Sequence, residues 1–212
     1  EHYNSHLSLR DFDYGVDRYM PITWNQDYHD RPRIMAFPFN SLAMGSFRVR
    51  SPLKALSDKG LVEVVMLPNH DSVENCYIPN RFEMNRADVD VVLMYTAFDD
   101  DMYRFIKREK EEGNLFIIFS LDDLAHNLPR GNPQRKKIFR DVKYRLRRTL
   151  QLCDRLIVST QPLADEYREL CDDIVIVPNS LDLSRWEGLV SQQGQSKKLR
   201  VGWAGAQQHF SD

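Results

Sequence analysis

The chain reads as an α/β protein with a Rossmann-like, doubly wound, mainly parallel sheet. Three observations predict this. Strand-length apolar runs recur from residue 33 onward, most are hydrophobic along their whole length, and helix-length segments separate them. A strand covered on both faces has no solvent side for polar residues, so continuous runs point to a parallel sheet between helical layers. The regular alternation of strand and helix favours this architecture over α+β or all-helical folds.

Residues 1 to about 30 are polar and aromatic without a period and read as an irregular lead-in. The first strand is expected at 34–37, followed by a loop over 40–50. A helix then opens at Ser51, a suitable N-cap, with Pro52 at the first helical position and Gly60 as its stop. Further strands are expected at 61–67 and 89–94, a charged helix at 101–112 closed by Gly113, and a strand at 115–119. Residues 133–152 form a basic amphipathic helix whose stripe is Ile138, Val142, Tyr144 or Arg145, and Leu146. A strand at 156–158, a helix at 161–170 and a strand at 174–177 complete the alternation. The polar stretch 191–196 is a linker, and a new strand starts at 199–203. The expected organisation is thus a lead-in over 1–30, a Rossmann-like domain over 31–185, a linker over 186–198 and the start of a second domain at 199–212.

Composition narrows the function classes. The 212 residues are 42% hydrophobic and 28% charged, enough for a real core. A formal charge of -2 gives no global field for nucleic acid. Cys76, Cys153 and Cys171 are few, odd in number and far apart, which suits a reducing compartment better than a disulfide framework. Neither a CxxC pair nor a histidine cluster suggests a metal, and no apolar run is long enough for a transmembrane helix. The first residues carry neither an initiator Met nor a signal pattern, so a fragment is expected.

Four segments carry candidate chemistry. In the loop after the first strand, Gly45 allows close backbone approach to an anion, and Arg48 and Arg50 offer charge-assisted contacts to a phosphate or sugar carboxylate. An ordinary βα loop with two solvated arginines is the plain alternative. The dinucleotide glycine pattern is absent from it, which disfavours a dehydrogenase or an epimerase. At the end of the fourth strand, Asp122, Asp123 and His126 have the chemistry to bind sugar hydroxyls or polarise a reacting group, or simply to cap a turn. The segment 176–183 is a strand exit through Pro178 and Asn179. Beyond the linker, Gly202 and Gly205 make a small-residue loop able to approach a diphosphate. The basic helix is either a solvated face or a peripheral contact with anionic lipid headgroups.

The run 154–160, a helix, and then Ile174-Val175-Ile176-Val177-Pro178-Asn179-Ser180-Leu181-Asp182 resemble the end of the N-terminal domain in GT-B glycosyltransferases of family four. Lys198-Leu199-Arg200-Val201-Gly202-Trp203-Ala204-Gly205, with His209 and Asp212, is similar to the opening of that family's second domain. The Asp122-Asp123 segment, with Asn127, Pro129, Asn132 and Pro133, looks like a variant in bacterial surface-polysaccharide transferases. The resemblance covers roughly residues 33–212 and is most specific at Pro178-Asn179 and the Gly202 loop. It departs from the family at Ser180, where a glycine is usual, and at Asp122-Asp123, where a histidine is usual.

The resemblance implies a cytoplasmic hexosyltransferase of polysaccharide biosynthesis, working at or near the inner membrane face. It would move sugar from a nucleotide diphosphate sugar to a glycan or other acceptor, with retention and no obligatory metal or cofactor. Gly45, Arg48, Arg50, Asp122, Asp123 and His126 would position acceptor and transferred sugar, and Gly202, Gly205 and His209 would face the donor diphosphate. The residues that drive transfer are expected beyond Asp212, so residues 1–212 alone should turn over little substrate and depend on the rest of their own polypeptide. A noncatalytic sugar- or nucleotide-binding module on the same fold is the alternative.

Overall fold

The structure, a computed structural model, describes residues 30–38, 43–67, 77–112, 115–128, 140–183, 187–188 and 201–202. Six strands form one all-parallel sheet: β1 (Arg33–Phe37), β2 (Glu63–Met66), β3 (Val91–Tyr95), β4 (Phe116–Leu121), β5 (Arg155–Val158) and β6 (Ile174–Ile176). Their order is β2-β1-β3-β4-β5-β6. The chain reverses its direction of travel across the sheet between β1 and β3, which makes the carboxyl ends of those strands the switch point where such folds open a crevice.

The period of two along each strand divides the side chains between two layers. Met35, Phe37, Val92, Met94, Ile117, Phe119, Leu156 and Val158 enter the larger core. That core is closed by helices α3 (Arg81–Ala87), α4 (Asp100–Glu112), α5 (Val142–Leu150) and α6 (Gln161–Tyr167). On the other face Ala36, Val64, Leu93 and Tyr95 pack with Val49 and Leu53. That layer is one unbroken helical run: α1 (Ala43–Gly45), a π-helical stretch over Ser46–Arg50, and α2 (Ser51–Asp58).

This run corrects the expected 40–50 loop. From Ala43 the backbone is already helical, and Arg50, at φ -65° and ψ -55°, takes the position before α2 that Ser51 was expected to fill. Gly60 does close the run, at φ +67°, where any side chain is strained. In the basic helix, Val142 and Leu146 are buried as expected, joined by Thr149 and Leu150, whereas Tyr144 is exposed. Ile138 of the expected stripe lies outside the described residues. So does most of the 199–203 strand, and Val201 and Gly202 are not in a strand. No described helix is long and apolar enough to cross a membrane.

Helix α3 starts with a reciprocal cap that satisfies two otherwise orphaned backbone donors. The Glu83 amide donates to Asn80 Oδ1 at 3.0 Å, and the Asn80 amide donates to Glu83 Oε2 at 2.8 Å. Asn80→Ala is therefore expected to cost about 1 kcal/mol, read as a lower urea midpoint at unchanged slope. Helix α4 is capped by Asp99, whose Oδ1 accepts from the amides of Asp101 and Met102, each at 2.9 Å. Its buried Oδ2 has no partner among the described residues, and burial raises the Asp99 pKa above the ordinary carboxylate value.

The sign follows from linkage. A raised folded pKa means the fold prefers the protonated acid, so its contribution is most favourable at low pH. That contribution is lost as pH rises from the unfolded pKa through the folded one, leaving the full penalty at neutral pH. Asp99→Asn retains an acceptor for the cap and removes the charge. It should gain up to about 1 kcal/mol over the parent at pH 7. The difference should shrink as both proteins are acidified, and unfolding curves across pH 3–7 measure it.

Candidate functional site

The carboxyl ends of β3, β4 and β6 meet the π-helical stretch in one polar cluster. Tyr95 ends β3 on the face that carries this stretch, and Ser120 and Asp122 follow the same alternation at the end of β4. The Tyr95 hydroxyl donates to Asp122 Oδ1 in a short hydrogen bond, and Met44 Sδ lies 3.3 Å from the same hydroxyl. Burial first, then the neighbouring Asp122 charge, pushes the Tyr95 pKa far above its ordinary value. The phenol therefore stays a neutral donor that holds Asp122, with the Arg48 charge acting on the same carboxylate. Ser159 Oγ donates to the Asp122 carbonyl at 3.3 Å, so the end of β5 fixes the backbone of this loop.

Arg48 ties the cluster together. Its Nη1 donates to the Val177 carbonyl at 2.5 Å and to Asn179 Oδ1 at 3.2 Å, and its Nη2 donates to Ser120 Oγ at 3.3 Å. These acceptors lie 129, 131 and 72 residues away in sequence. The side chain is 8% exposed. Desolvation lowers its pKa from the usual arginine value, with the charge of Asp122 acting in the opposite direction.

The residues singled out in the sequence divide into three groups. Arg48 and Asp122 are brought together, and Gly45 is buried immediately after Met44 in the same corner. The helical run after β1 and the loop after β4 therefore meet on one side of the sheet. Arg48 and Arg50 differ from the expected loop cations: both are buried, at 8% and 4% exposure, because the chain there is helical and packs against the sheet. Asp123, by contrast, is exposed.

His126 is drawn the other way. It sits in a short 3-10 turn, Ala125–Asn127, with Nε2 3.0 Å from Glu166 Oε1 and Nδ1 3.5 Å from the Tyr167 hydroxyl. Both partners belong to α6 in the opposite layer, and the His126 and Tyr167 rings meet edge to face with centroids 5.9 Å apart. Burial, with Glu166 adding, pushes the Tyr167 pKa up to about 12.

Gly202 is exposed, with open space where a side chain would extend. Gly205 and His209 lie outside the described residues. Two members of the cluster were not anticipated as site residues, Tyr95 and Ser120. Tyr95 carried a usable signal: an aromatic with a polar tip closing a run of aliphatic residues at a strand's carboxyl end. Asn179 was read as part of the strand exit and of the resemblance, and not as a site residue.

The cluster offers one carboxylate fixed by a neutral phenol, beside a buried guanidinium braced by neutral oxygens. Such a carboxylate can accept a hydrogen bond from a sugar hydroxyl or take its proton. No protein-family model matches the chain, and no curated protein matches it.

Proposed function

We propose that the chain is the acceptor-side half of a two-domain glycosyltransferase that uses a nucleotide diphosphate sugar. The observation that carries this reading is the convergence on Arg48. The helical run after β1, the carboxyl end of β4 and the segment after β6, each inside a stretch marked in the sequence for its chemistry, are hydrogen-bonded through one buried side chain at the carboxyl end of a parallel sheet. That end of an open α/β sheet is where ligands bind.

In this reading Asp122 engages an acceptor or transferred-sugar hydroxyl. Tyr95 holds the carboxylate in place, and Arg48 braces the strand exit at Val177–Asn179 against Ser120. The donor-binding wall belongs to the domain that the resemblance starts at residue 199, with Gly202, Gly205 and His209 toward the diphosphate. Catalysis would then come from positioning and from neutralising the departing diphosphate, with no metal or cofactor required. The substrates are a nucleotide sugar and a glycan or other acceptor, handled on the cytoplasmic side and, through the basic helix α5, near the membrane.

Calorimetric titration of the full-length protein with uridine and guanosine diphosphates and their sugar conjugates tests the proposal. Saturable binding of one nucleotide family, with no binding of nicotinamide dinucleotides, is the expected result. Binding of a nicotinamide dinucleotide and of no nucleotide sugar would overturn it.

A further inference from the structure

An open groove of about 890 Å³ lies over the sheet face that carries α2. Leu93, Ile118 and Ile157 form its floor, and Leu53 and Leu181 border it. The volume is that of a small-molecule site, and such sites are mostly apolar with a few placed polar groups. The polar groups here are unusual. Arg48 and Ser51, three residues apart on one helical run, both line the groove. Arg48 Nε and Ser51 Oγ are both buried and have no hydrogen-bond partner among the described residues. Arg48 gives its three bonds to a carbonyl, an amide and a hydroxyl, with no described carboxylate at ion-pair distance.

A buried cation whose hydrogen bonds all go to neutral oxygens is costly even with the Asp122 charge offsetting part of its desolvation, and an orphaned donor beside it adds to the cost. An oxyanion offsets both. Of the guanidinium's five N–H groups, Nε–H is unpartnered, and Nε with Nη2 forms the edge that matches two oxygens of a carboxylate or phosphate. The Ser51 hydroxyl supplies a further donor one turn away. π-Helical stretches such as Ser46–Arg50 recur at functional sites, where they re-aim a side chain. Of the acidic residues on the groove, Asp58 is already paired with Lys54 at 2.6 Å, and Asp182 borders it beside Leu181.

We infer that this groove binds an amphipathic oxyanion, its carboxylate or phosphate ester on Arg48 and Ser51 and its apolar body over Leu93, Ile118 and Ile157. The inference does not rest on sugar transfer, and its test needs no nucleotide. Dodecyl phosphate and dodecanoate are titrated below their micellar concentrations into the full chain and followed by calorimetry, with dodecyl maltoside and inorganic phosphate as controls. At least one of the two amphipathic anions should bind tenfold or more tighter than either control. Ser51→Ala should weaken that binding several-fold, Arg48→Gln tenfold or more, and Leu181→Asp, at an exposed position on the rim, should weaken it by displacing the apolar body.

Thermal unfolding of each variant separates lost binding from lost fold. If Arg48→Gln does not fold, Ser51→Ala and Leu181→Asp decide. Equal affinity for dodecyl maltoside would overturn the oxyanion site. Equal affinity for inorganic phosphate would overturn the role of the groove, and no binding of either anion would overturn both.

Discussion

In the proposed transferase, Asp122→Asn should lower kcat for sugar transfer by about 10²-fold through lost positioning while the protein stays folded. The substitution keeps an oxygen to accept the Tyr95 hydrogen bond, and Ser159 bonds the Asp122 carbonyl rather than its side chain. Loop geometry should therefore survive, and what is removed is the charge and the capacity to take a proton. Steady-state transfer rates of the full-length protein, with circular dichroism as a fold check, measure this. A loss confined to KM would assign Asp122 to uniform binding instead. Tyr95→Phe offers a graded companion, because it leaves the carboxylate and removes only the donor that holds it.

The largest effect on stability is expected at Phe105. It is 2% exposed in α4, its ring tilted at 56° against Phe37 of β1 with centroids 5.4 Å apart. Met102 and Ile106, its neighbours on α4, are fully buried in the same core. Phe105→Ala removes an aromatic ring from between the sheet and its main helical layer. The packed surroundings cannot close the space, so about 3–5 kcal/mol should be lost. A domain of this kind has only about 5–15 kcal/mol in total, so the variant should be marginal at room temperature. Urea unfolding followed by circular dichroism measures the change, and a loss under 1 kcal/mol would show that the layer repacks freely.

The sheet was legible because its signal is local. Runs such as Val91-Val92-Leu93-Met94 need only the neighbouring residues to declare a doubly covered strand. Helix α3 carried a readable cap, Asn80 with Glu83 three residues on, but its seven residues are too short for a convincing period and it was not expected.

The candidate site was legible in its parts and not in its assembly. Gly45 made residues 40–50 read as an anion-binding loop, with Arg48 as a loop cation for a phosphate or sugar carboxylate. Burying that arginine requires acceptors at Ser120, Val177 and Asn179, and pairings over such separations leave no local pattern. The same reason hid the split between Asp122 and His126. They lie four positions apart in sequence, yet the strand's alternation sends one toward Tyr95 and the turn after it sends the other to α6. Tyr95 itself reads as one more core aromatic until the loop after β4 is folded over it.

The most direct test of the transferase proposal is a mass-spectrometric screen of the full-length protein against nucleotide diphosphate sugars and a glycan panel. The account predicts that one donor releases its nucleoside diphosphate as an acceptor gains the mass of one sugar residue, and that Asp122→Asn suppresses both signals together. Transfer by Asp122→Asn at the parental rate, or no turnover with any nucleotide sugar, would contradict it.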